Sequence, residues 1–213
     1  MNDTVIEVEP AIAAELLGPQ IDQLRQYTAN LCKYGEELGL IGPLELPRIW
    51  TRHILNCAIV APLLRPGLVG DIGSGAGLPG LVLAVARPDV DFVLIEPMER
   101  RVKWLNDQRI DLGLKNVTVL RERAEDVRLE TPLDQVTARA VSSLQKLIPL
   151  TAPLLRPGGQ LVLMKGASVQ NEIDAAQKQL RKFRVSDPEV MVLGTGVLEE
   201  ETRVFRATVG ESQ

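Results

Sequence analysis

Four glycines within eight positions, Gly73, Gly75, Gly77 and Gly80, follow a short apolar stretch that carries Asp71 near its end. Glycine at this density lets the backbone take positive φ and lets a ligand lie directly against main-chain N–H groups. The run from Leu81 to Ala86 reads as a helix, and its N-terminal amides and dipole favour negative charge on a ligand held there. Gly75-Ala76-Gly77-Leu78-Pro79-Gly80 satisfies the G-x-G-x-x-G dinucleotide fingerprint, which taken alone is weak. The discriminating residue is Asp71, two positions before the first glycine. A carboxylate there suits a ligand with an ammonium head and sits badly beside a pyrophosphate.

With that acid in place, Asp71-x-Gly73-x-Gly75-x-Gly77 resembles motif I of the class I S-adenosylmethionine-dependent methyltransferases. Further candidates fall where such a fold would bring them to the same crevice. Glu96 closes the second strand about 20 residues on, where an acid accepts hydrogen bonds from ribose hydroxyls. Arg123-Ala124-Glu125-Asp126 follows the third strand, and Ala124 with Glu125 could read an adenine. Arg139 ends the fourth strand, placed to hold a cofactor carboxylate or a substrate phosphate. His53, the only histidine, reads as a hydrogen-bonded structural residue and not as a base.

What the chain lacks narrows the chemistry. After the fourth strand stands Ala138-Arg139-Ala140-Val141-Ser142, with no Pro-Pro-aromatic loop for methylating an exocyclic base amine. Cys32 and Cys57 lie upstream of the glycine loop, so no thiol is placed for attack on a pyrimidine C5. An acceptor that is already nucleophilic, such as guanine N7, needs no general base. Such a mechanism requires orientation only, and no catalytic acid or base is expected.

Positioning these residues calls for an α/β fold. From Pro10 to about Leu40, Ile21, Leu24, Thr28, Leu31 and Tyr34 fall at helical spacing, and Ile49 to Leu64 forms a second helical stretch. Strands are expected at 68–72, 91–96, 117–120, 133–138 and 160–165, with helices at 81–86, 97–112, 144–155 and 167–182. Two last strands, 185–193 and 202–209, have no helix between them and imply an antiparallel closing hairpin on a doubly wound, Rossmann-like seven-stranded sheet. Residues 1–66 are then a helical extension packed on a methyltransferase core of residues 67–213, one compact unit. Aromatic content of 3% argues against a base-stacking platform. Net charge is −4, yet residues 100–123 hold seven basic side chains against three acids, and 165–184 hold five against two. Two cysteines and one histidine make neither a disulfide framework nor a metal site. No apolar run reaches the ~18–20 residues of a membrane span, so a cytoplasmic monomer is expected.

His53-Ile54-Leu55, the whole loop from Asp71 to Gly80, Arg100-Arg101-Val102-Lys103-Trp104-Leu105, Arg139-Ala140 and Met164-Lys165-Gly166 stand in the order and spacing of one family. From about Leu31 to Thr208 the chain resembles the bacterial small-subunit ribosomal RNA methyltransferase G family, also called glucose-inhibited division protein B. The resemblance implies methyl transfer from S-adenosylmethionine, leaving S-adenosylhomocysteine, to N7 of a guanine in the decoding-region loop of 16S rRNA, free or in the 30S particle. It implies cofactor contacts at Gly73, Leu78, Ala124, Glu125 and Arg139. With it, Arg101, Arg139 and Lys165 are candidates for RNA phosphates. The chain departs from the family pattern at Gly39-Leu40-Ile41 and at Asn56-Cys57, both on the expected substrate side. A small-molecule methyltransferase, a nicotinamide-dependent oxidoreductase and a non-catalytic assembly factor are the alternatives.

Overall fold

The computed structural model describes residues 5–210. Seven strands form one sheet in the order β3-β2-β1-β4-β5-β7-β6. They are β1 (Leu68–Ile72), β2 (Asp91–Ile95), β3 (Val117–Leu120), β4 (Leu133–Arg139), β5 (Leu155–Lys165), β6 (Val185–Leu193) and β7 (Thr202–Val209). The first five run parallel, and β7 lies antiparallel between β5 and β6. The chain reverses its direction of winding between β1 and β4, and at such a switch point the carboxyl ends of neighbouring strands open a crevice. In register, Asp71 of β1 lies between Leu94 of β2 and Thr137 of β4. Arg139 stands two residues further along β4.

Both faces are covered, as alternation along β2 requires. Phe92 and Leu94 join one apolar cluster with α2 (Ile21–Tyr34), α4 (Gly80–Ala86) and α5 (Glu99–Asp111). Val93 and Ile95 join the other, with α6 (Leu144–Thr151), α7 (Val169–Ala175) and α8 (Gln177–Lys182). The first cluster also takes Ala13 and Leu17 of α1 (Ile12–Leu17), and Ile49, Ile54 and Leu55 of a π-helix over Ile49–Leu55. Cys57 and Ala58 of α3 (Asn56–Ala58) complete it.

Several elements differ from their expected extents. The long N-terminal helix is broken at Gly18-Pro19, where Gly18 takes φ 53 and a 3₁₀ turn intervenes. Residues 43–48, expected only as a break, form a 3₁₀ helix with Pro43 at its start. The stretch from Ile49 begins as a π-helix and ends in short turns by Leu63. The polar helix near the C-terminus is divided at Ala176. β5 starts at Leu155, earlier than expected, because its first residues pair with Leu133 across a register shift.

Leu55 has no exposed surface and sits in the cluster shared by the N-terminal helices and the sheet. Leu55→Ala is expected to cost about 2–5 kcal/mol in denaturant unfolding, the range for a leucine truncated in a packed core. Loss of near-UV and far-UV signals in one transition is the expected form, since the N-terminal helices share that core.

Candidate functional site

The glycine loop is folded over a buried carboxylate. Asp71 is 1% exposed, and its Oδ2 accepts the Gly80 amide at 3.1 Å, fastening the first residue of α4 to the end of β1. Its Oδ1 has no partner among the described residues. Burial, with the nearby Glu96 carboxylate adding to it, raises the Asp71 pKa to about 7, against the lowering effect of its bonds at Ser74 and Gly80. Only glycine fits at position 80, because a Cβ there would come within 2.4 Å of both Asp71 Oδ2 and Leu94 Cδ2. Gly73, Gly75 and Gly77 take φ of 70, 56 and 101, the left-handed region that glycine occupies freely.

Glu96, just beyond β2, holds the loop from the other side. Its Oε2 accepts the Gly75 amide at 3.0 Å and its Oε1 the Met98 amide at 2.9 Å. Arg101 Nη1 lies 3.9 Å from the same Oε2, so this expected phosphate contact is turned toward the loop carboxylate. Two residues that sequence reasoning missed complete the frame. The buried Ala76 carbonyl accepts both Tyr27 Oη at 2.9 Å and Trp104 Nε1 at 2.8 Å, from α2 and α5. The signal was present in Trp104, inside the Arg-Arg-Val-Lys-Trp-Leu run, but nothing local paired it with Tyr27. Leu78 is half-buried at the end of the loop and packs on the first apolar cluster.

Arg139 opens a second cluster, touching the first where Val141 lies against Gly73; a Cβ on that glycine would stand 3.0 Å from Val141 Cγ2. The Arg139 guanidinium is anchored on the π-helix. Nη2 donates to the Arg52 carbonyl at 3.1 Å and to His53 Nδ1 at 2.9 Å, and Nη1 donates to Cys57 Sγ at 3.3 Å. Arg139 lines a cleft of about 460 Å³ with Arg52, Lys165, Glu200, Glu201 and Arg203 among its walls. Lys165, expected as a free phosphate contact, is already paired. Its ammonium stands 2.7 Å from Glu172 Oε2 and donates to the Ser142 carbonyl at 2.8 Å, with the side chain 8% exposed.

Ala124 and Glu125 follow β3, and the cavity that they line has no residue of the glycine loop in its wall. It measures about 460 Å³ and is walled by the segment between β3 and β4 and by Pro149, Leu150 and Pro153. The structure therefore brings Asp71, Gly73, Gly75, Gly77, Leu78, Glu96 and Arg101 together, sets Arg139 and Lys165 in an adjoining cleft, and puts Ala124 with Glu125 in another. No helix of the described residues is long and apolar enough to cross a membrane.

The buried orphan Oδ1 of Asp71, the lack of any side chain within 4 Å of where a Gly75 Cβ would stand and an acid at the strand end fit a cofactor with a cationic amino group and a ribose. The fold is that of the class I SAM-dependent methyltransferases. It matches a SAM-dependent O-methyltransferase from Thermotoga maritima with TM-score 0.57 and 17% identity, over 75% of this chain and 66% of that one. It matches TYW2 of M. jannaschii in complex with AdoMet with TM-score 0.60 and 19% identity, over 77% and 78% of the two chains. Sequence carries the assignment further. The family model for GidB, rRNA small subunit methyltransferase G, matches residues 20–201, and the chain belongs to that family. A protein of Leifsonia xyli subsp. xyli named ribosomal RNA small subunit methyltransferase G is 69% identical over 98% of this chain and 100% of its own. One of the same name from Corynebacterium glutamicum is 45% identical over 95% and 92%.

Because the folded Asp71 pKa lies above the ordinary value near 3.8, this group withdraws stability from the ligand-free protein as pH rises from about 4 to about 7. Asp71→Asn removes the charge and should flatten that decline. Thermal unfolding without ligand should show the Tm difference, variant minus parent, growing in the variant's favour between about pH 4 and about pH 7 and then levelling off. A pH-independent difference would remove the ionised carboxylate as its cause.

Proposed function

We propose that the protein transfers a methyl group from S-adenosylmethionine to N7 of a guanine in the decoding-region loop of bacterial 16S rRNA. The observation that carries this reading is the glycine loop closed over Asp71 at the β1–β4 switch point, in a chain of this family. When bound, S-adenosylmethionine would supply an electrophilic methyl carbon on a sulfonium that can leave as a neutral thioether. Guanine N7 carries no proton, so no residue of this chain would have to act as a base. The protein's task is then to orient two ligands in line and to keep their charges matched.

In this reading Asp71, Gly73, Gly75, Gly77 and Leu78 form the cofactor cradle, and Glu96 keeps lone pairs for ribose hydroxyls beyond the two amides that it accepts. Arg139 spends two of its five N–H donors on the π-helix and a third on Cys57 of α3, which leaves donors for a carboxylate or a phosphate. Ala124 and Glu125 are proposed at the adenine on the strength of their place after β3. Arg101, Arg139 and Lys165 are proposed on the RNA side, Lys165 acting through its paired ammonium at the cleft wall. We also read residues 1–66 as a helical extension on a core of residues 67–213, and the protein as a cytoplasmic monomer acting on rRNA or the 30S particle.

Incubation of 30S subunits lacking the modification with labelled S-adenosylmethionine, followed by mapping of the methylated nucleotide, is the direct test. Label at a base atom other than a guanine N7 refutes the specificity. Thermal-shift titration separates cofactors, since a ligand that binds only the folded state raises Tm. S-adenosylhomocysteine should raise it and NAD should not; the reverse would favour the oxidoreductase.

Lys165→Ala should weaken use of 30S subunits more than cofactor affinity, and it should also destabilise the fold by leaving the partly buried Glu172 carboxylate without its cation. Equal losses in the two affinities would place Lys165 in the cofactor site instead.

A further inference from the structure

His53 has no role in the reading above, yet it is the buried link in a chain of polar contacts that reaches the cleft. Its Nε2 lies 2.9 Å from Glu45 Oε2, on the 3₁₀ helix Pro43–Arg48, and its Nδ1 lies 2.9 Å from Arg139 Nη2. A guanidinium only donates, so Nδ1 must accept and the ring proton must sit on Nε2, where a carboxylate receives it. The two neighbours therefore select one tautomer. Protonation of Nδ1 would turn its N–H against an N–H of Arg139 and set two cations side by side.

The groups facing the ring are Glu45, Arg52 and Arg139. Burial, followed by the Arg139 charge, carries the His53 pKa down to about 4 against the opposing pull of Glu45. The ring is thus neutral near pH 7. Arg139 needs such an anchor because β4 stops with it. Ala140, next in the chain, takes φ 54, and the backbone turns away from the sheet. The direction of the guanidinium is set instead by three residues of the neighbouring helical segment, Arg52, His53 and Cys57.

We propose that His53, locked as its Nε2–H tautomer between Glu45 and Arg139, is a positioning residue that aims the Arg139 guanidinium into the cleft for its anionic ligand. It acts through Arg139 and touches no substrate. The kinetic part of this role rests on Arg139 being a site residue, as read above; the tautomer does not.

The test has two arms, both on the full chain. His53 is the only histidine in the sequence, so ring ¹⁵N resonances of uniformly labelled protein belong to it without ambiguity. Nδ1 should show the unprotonated shift and Nε2 the protonated one, unchanged from about pH 8 to about pH 5.5. A proton on Nδ1, or titration near pH 6.5, overturns the proposal. In the second arm, His53→Leu should lower kcat/KM on 30S subunits by about tenfold or more, the scale of one hydrogen bond to a charged group. His53→Asn, which keeps an acceptor near the place of Nδ1, should recover part of the loss. In an Arg139→Ala background His53→Leu should add nothing, whereas a merely structural role predicts additive losses. Additive losses, or parental kcat/KM in folded His53→Leu, overturn the proposal. Should His53→Leu not fold, Glu45→Gln takes its place: it keeps an acceptor for Nε2–H and should retain the tautomer, and loss of the tautomer there overturns the proposal. Parental kinetics in Arg139→Ala would instead refute the site reading of Arg139, and the positioning role with it, while leaving the ring's tautomer as measured.

Discussion

The site depends on one hydrogen bond, from the Gly80 amide to the buried carboxylate of Asp71. It joins the end of the central strand to the start of the helix that follows, and so sets the path of every residue between them. A buried carboxylate is a costly partner, and burial alone drives its pKa up. Its retention beside a second acid, Glu96, makes sense if something cationic is to arrive there. Glycine at 80 follows from the same contact, because any side chain would collide with the oxygen that receives its amide. The loop is then held at its far side by Ala76, whose carbonyl two aromatic donors fix from different helices. A loop built mostly of glycine would otherwise carry a large conformational entropy. Anchoring it at Asp71, Glu96 and Ala76 leaves it ordered in advance of any ligand.

The N-terminal helices are therefore part of the machinery. Tyr27 reaches the loop from α2, and Arg52, His53 and Cys57 hold Arg139. Glu7 caps the start of the π-helix, its Oε2 accepting the amides of Trp50 and Thr51 at 2.8 and 3.1 Å. A π-helix is uncommon, and its short bulges are frequent at functional sites. Here it packs Ile49, Ile54 and Leu55 into the core while its Arg52 carbonyl takes a guanidinium. The same segment is tied to the closing hairpin. Thr202 bonds to Asn56, and Glu200 pairs with both Arg48 and Arg52. These ion pairs are some two-fifths exposed and individually contribute little. Their effect is to gather the hairpin loop and the π-helix around one cleft.

The parts of the fold that follow local rules were legible in the sequence. Alternation of strand and helix led to the parallel sheet and its closing antiparallel hairpin, and the glycine spacing with Asp71 led to the loop. Glu96 was singled out because strand-end acids have a known place in doubly wound folds, and it lies against the loop, accepting the Gly75 amide. What escaped detection is what three-dimensional closure decides. The π-helix looks like any apolar helical run, since its wider winding answers to packing and not to composition. Glu45, His53 and Arg139 form one chain of contacts from positions far apart in sequence. Lys165 reads as a free cation until Glu172, a helix away, is seen beside it. Ala124 and Glu125 follow the right strand, yet the segment that bears them opens onto a cavity of its own.

The pairing of the cations bears on how a polyanion could be selected by a protein of net charge −4. Arg52, Arg139, Lys165 and Arg203 all line one cleft, with Glu200 and Glu201 in its walls and Glu172 against the lysine. Arg101 faces Glu96. A cationic surface with free side chains would bind any phosphate backbone, in proportion to the counterions released. Cations already matched by carboxylates gain from a phosphate only the difference between the two partners. That difference is small for a misplaced phosphate and larger for one that meets a cation held in a fixed orientation. Matched charges therefore trade raw affinity for discrimination, which suits a methyltransferase acting on a ribosomal RNA.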